Sequence, residues 1–334
     1  MRKILFITGL GILNISCGSQ KNVTHQNSQP KKTVASTQKP KPSTPKINHQ
    51  GNLIFFKDNI GDINKNDNTT SYGSVVSANP KGYKISYEHF PSVAQNFRQR
   101  YLILHYTAID NEVSVRALTQ KNVSAHYLVS DINDHEIWQL VDENKRAYHS
   151  GISYWRNTTG MNDNSIGIEI VNKGFIKNAN GERQFFPFPE HQFRKVAALA
   201  KDIVERYNIP PTNVLGHSDV APIRKQDPGP LFPWKRLYNE YHIGMWYDEP
   251  TKQNFYATAT GEVDFNYNAA PFIFKVQNAF KNFGYDINTT GVWDDQTSKV
   301  IEAFQYHFRP EIHNGILDAE TWAILQALLV KYPR

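Results

Sequence analysis

Gly216-His217-Ser218-Asp219-Val220-Ala221-Pro222-Ile223-Arg224-Lys225-Gln226-Asp227-Pro228-Gly229-Pro230, running on to Leu231-Phe232-Pro233-Trp234, is the stretch on which the reading of this chain turns. Pro222, Pro228, Pro230 and Pro233 each lack a backbone donor and restrict φ, so no helix and no central strand can run through the segment. What remains is a shaped loop that holds a histidine, a lysine and two aspartates. Two readings are open. In one, His217 and Asp227 are half of a metal site, and Lys225 places a positive charge near the metal's open side. Histidine with a carboxylate oxygen, one more histidine and a free position for water suits catalytic zinc. In the other, the segment is a solvated, proline-rich surface loop with an ordinary His and Asp.

Working outward, Val214-Leu215-Gly216 is a short strand that delivers His217. Ahead of it, Glu190 to Tyr207 is an amphipathic helix: Phe193, Val196, Ala197, Ala200, Ile203, Val204 and Tyr207 recur at three- and four-residue spacing, and Pro210-Pro211 ends it. Ser165 to Asn172 reads as a strand with Ile166, Ile168 and Ile170 on one face and Gly167, Glu169 and Val171 on the other. A carboxylate in mid-strand beside a glycine is costly to bury unless it is paired or functional. Glu169 is therefore a general base with a raised pKa, or else a salt-bridged structural residue. Tyr101 to Thr107 is a continuous apolar run, a strand buried on both faces, with His105 at its C-terminal end. That is where such sheets place ligands, so His105 is the candidate third ligand, with a satisfied core histidine as the alternative.

Ser114 to Lys121 looks helical, and Ala125–Ser130 with Ile137–Val141 look like a strand pair. His126, flanked by apolar residues, reads as a hydrogen-bonded core group. For His149 a substrate contact and a structural role weigh equally.

At the N-terminus Arg2-Lys3 and the apolar run Ile4 to Ile15 read as an export signal, too short to span a bilayer comfortably. The single cysteine, Cys17, follows in Asn14-Ile15-Ser16-Cys17, which resembles a bacterial lipobox, with Asn14 where leucine is usual. One cysteine excludes an intramolecular disulfide and a cysteine-based zinc site. Gly18 to about Gln50 offers almost nothing to bury and reads as a tether, extended here to residue 80, although 51–80 has no clear assignment. The net charge, +6 from 37 Lys and Arg against 31 Asp and Glu, suits an acidic polymer. With no zinc-knuckle, helix-turn-helix or ribonucleoprotein signature beside it, nucleic acid is set aside as a partner.

The assembled residues resemble the zinc-dependent N-acetylmuramoyl-L-alanine amidases of the Amidase_2 family, in particular its AmiD-type lipoprotein branch. The motifs are His105-Tyr106-Thr107-Ala108, Ser124 to Val129, Ile137 to Val141, His149 to Trp155, Ser165 to Glu169 and Arg224 to Trp234, covering about residues 83–245. The resemblance implies Zn2+ held by His105, His217 and Asp227, with Glu169 and Lys225 as the catalytic pair. It implies hydrolysis of the amide bond between N-acetylmuramic acid and L-alanine in peptidoglycan or its fragments. It also implies an α/β (α+β) fold, a mixed central sheet flanked by helices. From about Gly261 a small three-helix domain follows, in which Gly291-Val292-Trp293-Asp294 and Gly315-Ile316-Leu317-Asp318 repeat one motif, with Asp294 and Asp318 as helix N-caps. This part resembles peptidoglycan-binding domains. The expected divisions are thus a lipoprotein signal at 1–17, a tether at 18–80, the amidase at 81–260 and the helical domain at 261–334. The expected protein is a monomer held to the outer membrane by lipid on Cys17 and facing the periplasm. A wall-recognition protein without metal is the competing class.

Overall fold

The computed structural model describes residues 81–83 and 96–334, all within one compact unit. The expected signal, lipidated Cys17 and tether lie outside the described residues. Among the described residues, no helix is long and apolar enough to cross a membrane.

The chain enters a central strand, β1 (Tyr101–Tyr106), buried from Tyr101 to His105. Helix α1 (Asn111–Leu118) follows. It starts three residues before the expected Ser114, because the Asp110 carboxylate accepts the Val113 N–H at 2.9 Å and so caps the first turn. Strands β2 (Tyr127–Val129) and β3 (Trp138–Gln139) form the expected antiparallel pair, each shorter than the apolar run that suggested it. A small hairpin, β4 (Tyr154–Trp155) and β5 (Thr158–Thr159), precedes β6 (Ser165–Ile170), and β7 (Phe175–Lys177) pairs with β8 (Arg183–Phe185). Helix α2 (Glu190–Tyr207) buries the face that its spacing specified, from Phe193 to Tyr207. Each large apolar side chain on that face contributes roughly 1.5–3 kcal/mol by leaving water. After α2 come β9 (Val214–Gly216), a single turn α3 (His217–Val220) and α4 (Trp234–Tyr241). The turn α3 fits because it is complete before Pro222.

The five-stranded sheet has the order β3-β2-β6-β1-β9, parallel except for β3. In the β1–β6 register His105 lies opposite Glu169, and in the β1–β9 register Leu104 lies opposite Gly216, one residue before His217. Three neighbouring parallel strands thus end together and deliver His105, Glu169 and His217 to one edge, the usual place for a site in such sheets.

The C-terminal part consists of α5 (Glu249–Asn266), α6 (Ala270–Phe283), α7 (Asp295–Phe308) and α8 (Ala319–Lys331). Helix α5 packs along α8 and runs through position 260/261, where the sequence reading divides the chain. The repeated motif has a repeated structure. Asp294 and Asp318 cap α7 and α8 by accepting the N–H of Thr297 and Thr321, each at 2.8 Å. Gly291 and Gly315, both at φ above +70°, turn their N–H to buried Gln277 and Gln305 at 2.8 and 2.9 Å. Those glutamines, one from each preceding helix, donate in turn to Thr297 and Thr321.

Candidate metal and catalytic site

His105, His217 and Asp227 meet at the strand ends, all buried. His105 Nδ1, His217 Nδ1 and Asp227 Oδ2 form a triangle with three sides of 2.9 Å. Tetrahedral zinc with bonds of about 2.0–2.1 Å would set its ligand atoms about 3.3 Å apart, so the spacing is near that of a metal site. The loop is closed upon itself, since the Ser218 N–H donates to the Asp227 carbonyl at 2.9 Å.

The hydrogen bonds behind the triangle decide which ring nitrogens carry protons. His217 Nε2 lies 3.0 Å from the Ser150 carbonyl, an acceptor only. The proton therefore sits on Nε2, and Nδ1 presents a lone pair. For His105 the chain is longer. Its Nε2 meets His149 Nδ1 at 3.0 Å, His149 Nε2 meets Ser165 Oγ at 3.1 Å, and Ser165 Oγ–H donates to the Met161 carbonyl. Because the last member can only accept, each member donates toward it, and His105 Nδ1 is left as a lone pair too. Burial, followed by the neighbouring His217, pulls the His105 pKa down to about 4, and burial with His105 beside it holds His149 well below the usual histidine range. Both rings are thus neutral at pH 7. Two lone pairs and a carboxylate then face one another with no proton among them, an arrangement that a bound cation relieves. These residues fit a divalent metal.

Glu169 stands beside the triangle. Its Oε2 is buried without a hydrogen-bond partner among the described residues. Burial, with Asp227 nearby adding and Lys225 opposing, pushes its pKa up to about 8. A paired structural carboxylate would not be left in this state. Glu143 provides the contrast: its carboxylate takes hydrogen bonds from Tyr127, Tyr207 and Arg206. Lys225 is half-buried in the wall of the same cavity, about 370 Å³, which Tyr106, Ser124, Tyr148, His149, Glu169, His217 and Asp227 also line. A cavity of that size accepts a small ligand or one portion of a polymer. Arg224, next to Lys225, instead donates to the Ser150 and Ile152 carbonyls at 2.8 and 2.7 Å and ties the loop to its neighbour.

All five residues singled out in the sequence are therefore brought together. His126 is the core group expected: its Nδ1 accepts the Gly167 N–H at 3.0 Å. His149 takes the structural role behind His105 while also lining the cavity. Sequence reasoning missed Ser165 and the Ser150 carbonyl. The glycine in mid-strand was the available signal, because a Cβ on Gly167 would lie 2.5 Å from the His149 ring.

Residues 95–230 match the family described as N-acetylmuramoyl-L-alanine amidase, and residues 270–325 match that of a peptidoglycan binding domain. The N-acetylmuramoyl-L-alanine amidase AmiD of Escherichia coli (strain K12) is 44% identical over 240 residues, 70% of this chain and 84% of that relative. Its solved complex with anhydro-N-acetylmuramic acid-L-Ala-D-gamma-Glu-L-Lys superposes with a TM-score of 0.67 at 40% identity, covering 76% of this chain and 97% of the other. AmpDh3 of Pseudomonas aeruginosa, solved with anhydromuramic pentapeptide, has a TM-score of 0.64 at 39% identity, covering 78% of this chain and all of that one. With the mixed sheet and the two-histidine, one-aspartate cluster already in place, these likenesses identify the chain as a member of the N-acetylmuramoyl-L-alanine amidase family.

Proposed function

We propose that the protein is a zinc amidase that cleaves the bond between the lactyl carbonyl of N-acetylmuramic acid and L-alanine in peptidoglycan or its fragments. The observation that supports it most is the triangle of unprotonated donors on His105, His217 and Asp227, opening on a cavity that also holds Glu169. When bound there, zinc supplies Lewis acidity and lowers the pKa of a water ligand toward about 7. Glu169, desolvated and with its Oε2 unpartnered among the described residues, takes the proton of the attacking water and passes it to the leaving amine, forming the N–H as the C–N bond breaks. Lys225, in the cavity wall, offers its ammonium to the carbonyl oxygen as negative charge develops there, an effect typically worth about 3–4 kcal/mol per donor. His149, Ser165 and the Ser150 carbonyl keep the two imidazoles in the tautomer that binds metal.

The reading extends to the cell envelope. The helical module from α5 onward is proposed to bind peptidoglycan, and the lipid on Cys17, suggested by the lipobox-like Asn14 to Cys17, to hold the enzyme at the outer membrane facing the periplasm. Mass spectrometry of the products from a defined muropeptide, with and without chelator, tests the chemistry. Free peptide beginning with L-alanine, abolished by chelator and restored by zinc, is expected; a peptide cut elsewhere overturns the assignment.

A further inference from the structure

Asp219, two residues beyond His217, is 1% exposed, and no step of the proposed chemistry uses it. A carboxylate so deeply buried needs donors, and it has three. The Gly216 N–H donates to Oδ2 at 2.7 Å, Tyr285 Oη–H donates to Oδ1 at 2.9 Å, and His307 Nδ1 lies 2.7 Å from Oδ2. His307 Nε2 is buried with no partner among the described residues, so the ring proton sits on Nδ1 and is donated to Asp219. Only the first donor belongs to the catalytic fold. Tyr285 follows α6, and His307 lies on α7, stacked 3.9 Å from Trp234 of α4.

We propose that the C-terminal helices are a working part of the hydrolytic centre, with Tyr285 and His307 as positioning residues that fix Asp219 and, through it, the β9–α3 turn that presents His217. The inference rests on the metal reading above. Without the two side-chain donors Asp219 keeps a single hydrogen bond, from Gly216. It then turns toward water and takes the Gly216-His217 junction with it, so the His217 Nδ1 corner of the triangle shifts.

The test uses the full chain with Tyr285→Phe, His307→Leu, His307→Asn and, as a control, Arg156→Ala. Arg156 donates to the Phe283 and Tyr332 carbonyls, each at 2.9 Å, so its loss weakens the same junction without touching Asp219. Zinc affinity is measured by competition with a chelating dye, the ligand field by the visible spectrum of the cobalt-loaded protein, and Tm on metal-free samples. Tyr285→Phe and His307→Leu are expected to weaken zinc about 10- to 100-fold and to shift the cobalt bands. His307→Asn, which keeps a donor near the Nδ1 position, recovers affinity, whereas Arg156→Ala lowers Tm with zinc and cobalt signals unchanged. Wild-type zinc affinity in Tyr285→Phe and His307→Leu overturns the inference, as does an equal loss of affinity in Arg156→Ala. A wild-type protein that binds no zinc overturns the metal reading along with it.

Discussion

Glu169 is a carboxylate held in a place that favours its neutral form, and that has consequences for chemistry and for stability. Glu169→Gln keeps the shape and removes the proposed base. Muropeptide turnover is expected to fall by about 10²- to 10⁴-fold with zinc still bound, read by product formation alongside metal analysis. In the metal-free fold the pKa rises from 4.5 to about 8, so between those values the folded protein keeps a proton that the unfolded chain releases. Stability is therefore lost as pH rises through that window. In chelator, Glu169→Gln should raise Tm at pH 8 and leave it nearly unchanged near pH 4.5, as followed by circular dichroism. His149→Ala, which breaks the proton chain behind His105, should weaken zinc about 10- to 100-fold in a dye competition while Glu169 stays in place.

At the scale of the element, β6 concentrates the demands of the site. Ile166, Ile168 and Ile170 point into the core, while Gly167 makes room for His149 and Glu169 lies opposite His105. Gly167→Ala would drive a methyl group into the His149 ring, and overpacking of this kind typically costs about 1–3 kcal/mol. A lower Tm together with weaker zinc binding is expected, because the displaced ring supports His105, a proposed ligand. Much of this was legible in the sequence: period-two alternation placed Glu169 and Gly167 on one face, and three- and four-residue spacing placed α2. The proton chain was not legible, because its direction depends on His105, His149, Met161 and Ser165 meeting in space, and on which of them can only accept. Boundaries shifted for local reasons, as at α1, where Asp110 rather than the apolar pattern sets the start.

At the scale of the molecule, the two halves that the motifs suggested share one interior. Trp155 of β4 meets Phe283 and Tyr285 edge-on at centroid distances of 5.7 and 5.1 Å, and Arg183 of β8 pairs with Glu302 of α7. Calorimetry should accordingly record one cooperative transition for the catalytic fold and the helices together, not two. Saturating zinc should raise its midpoint, because a ligand bound only by the folded form stabilises that form. The sequence motifs identified each half separately but carried no sign of this junction, since Asp219, Tyr285 and His307 look ordinary until the fold brings them together.

The stack of Trp234 on His307, at 3.9 Å and 18°, has an optical consequence. Trp234 is also buried, so while α4 and α7 stay docked its indole should emit to the blue of a tryptophan in water. Replacing it with phenylalanine should remove blue-side light from the native protein and red-side light from the denatured one. The reddening of its emission during unfolding would give the moment at which the helices part from the hydrolase.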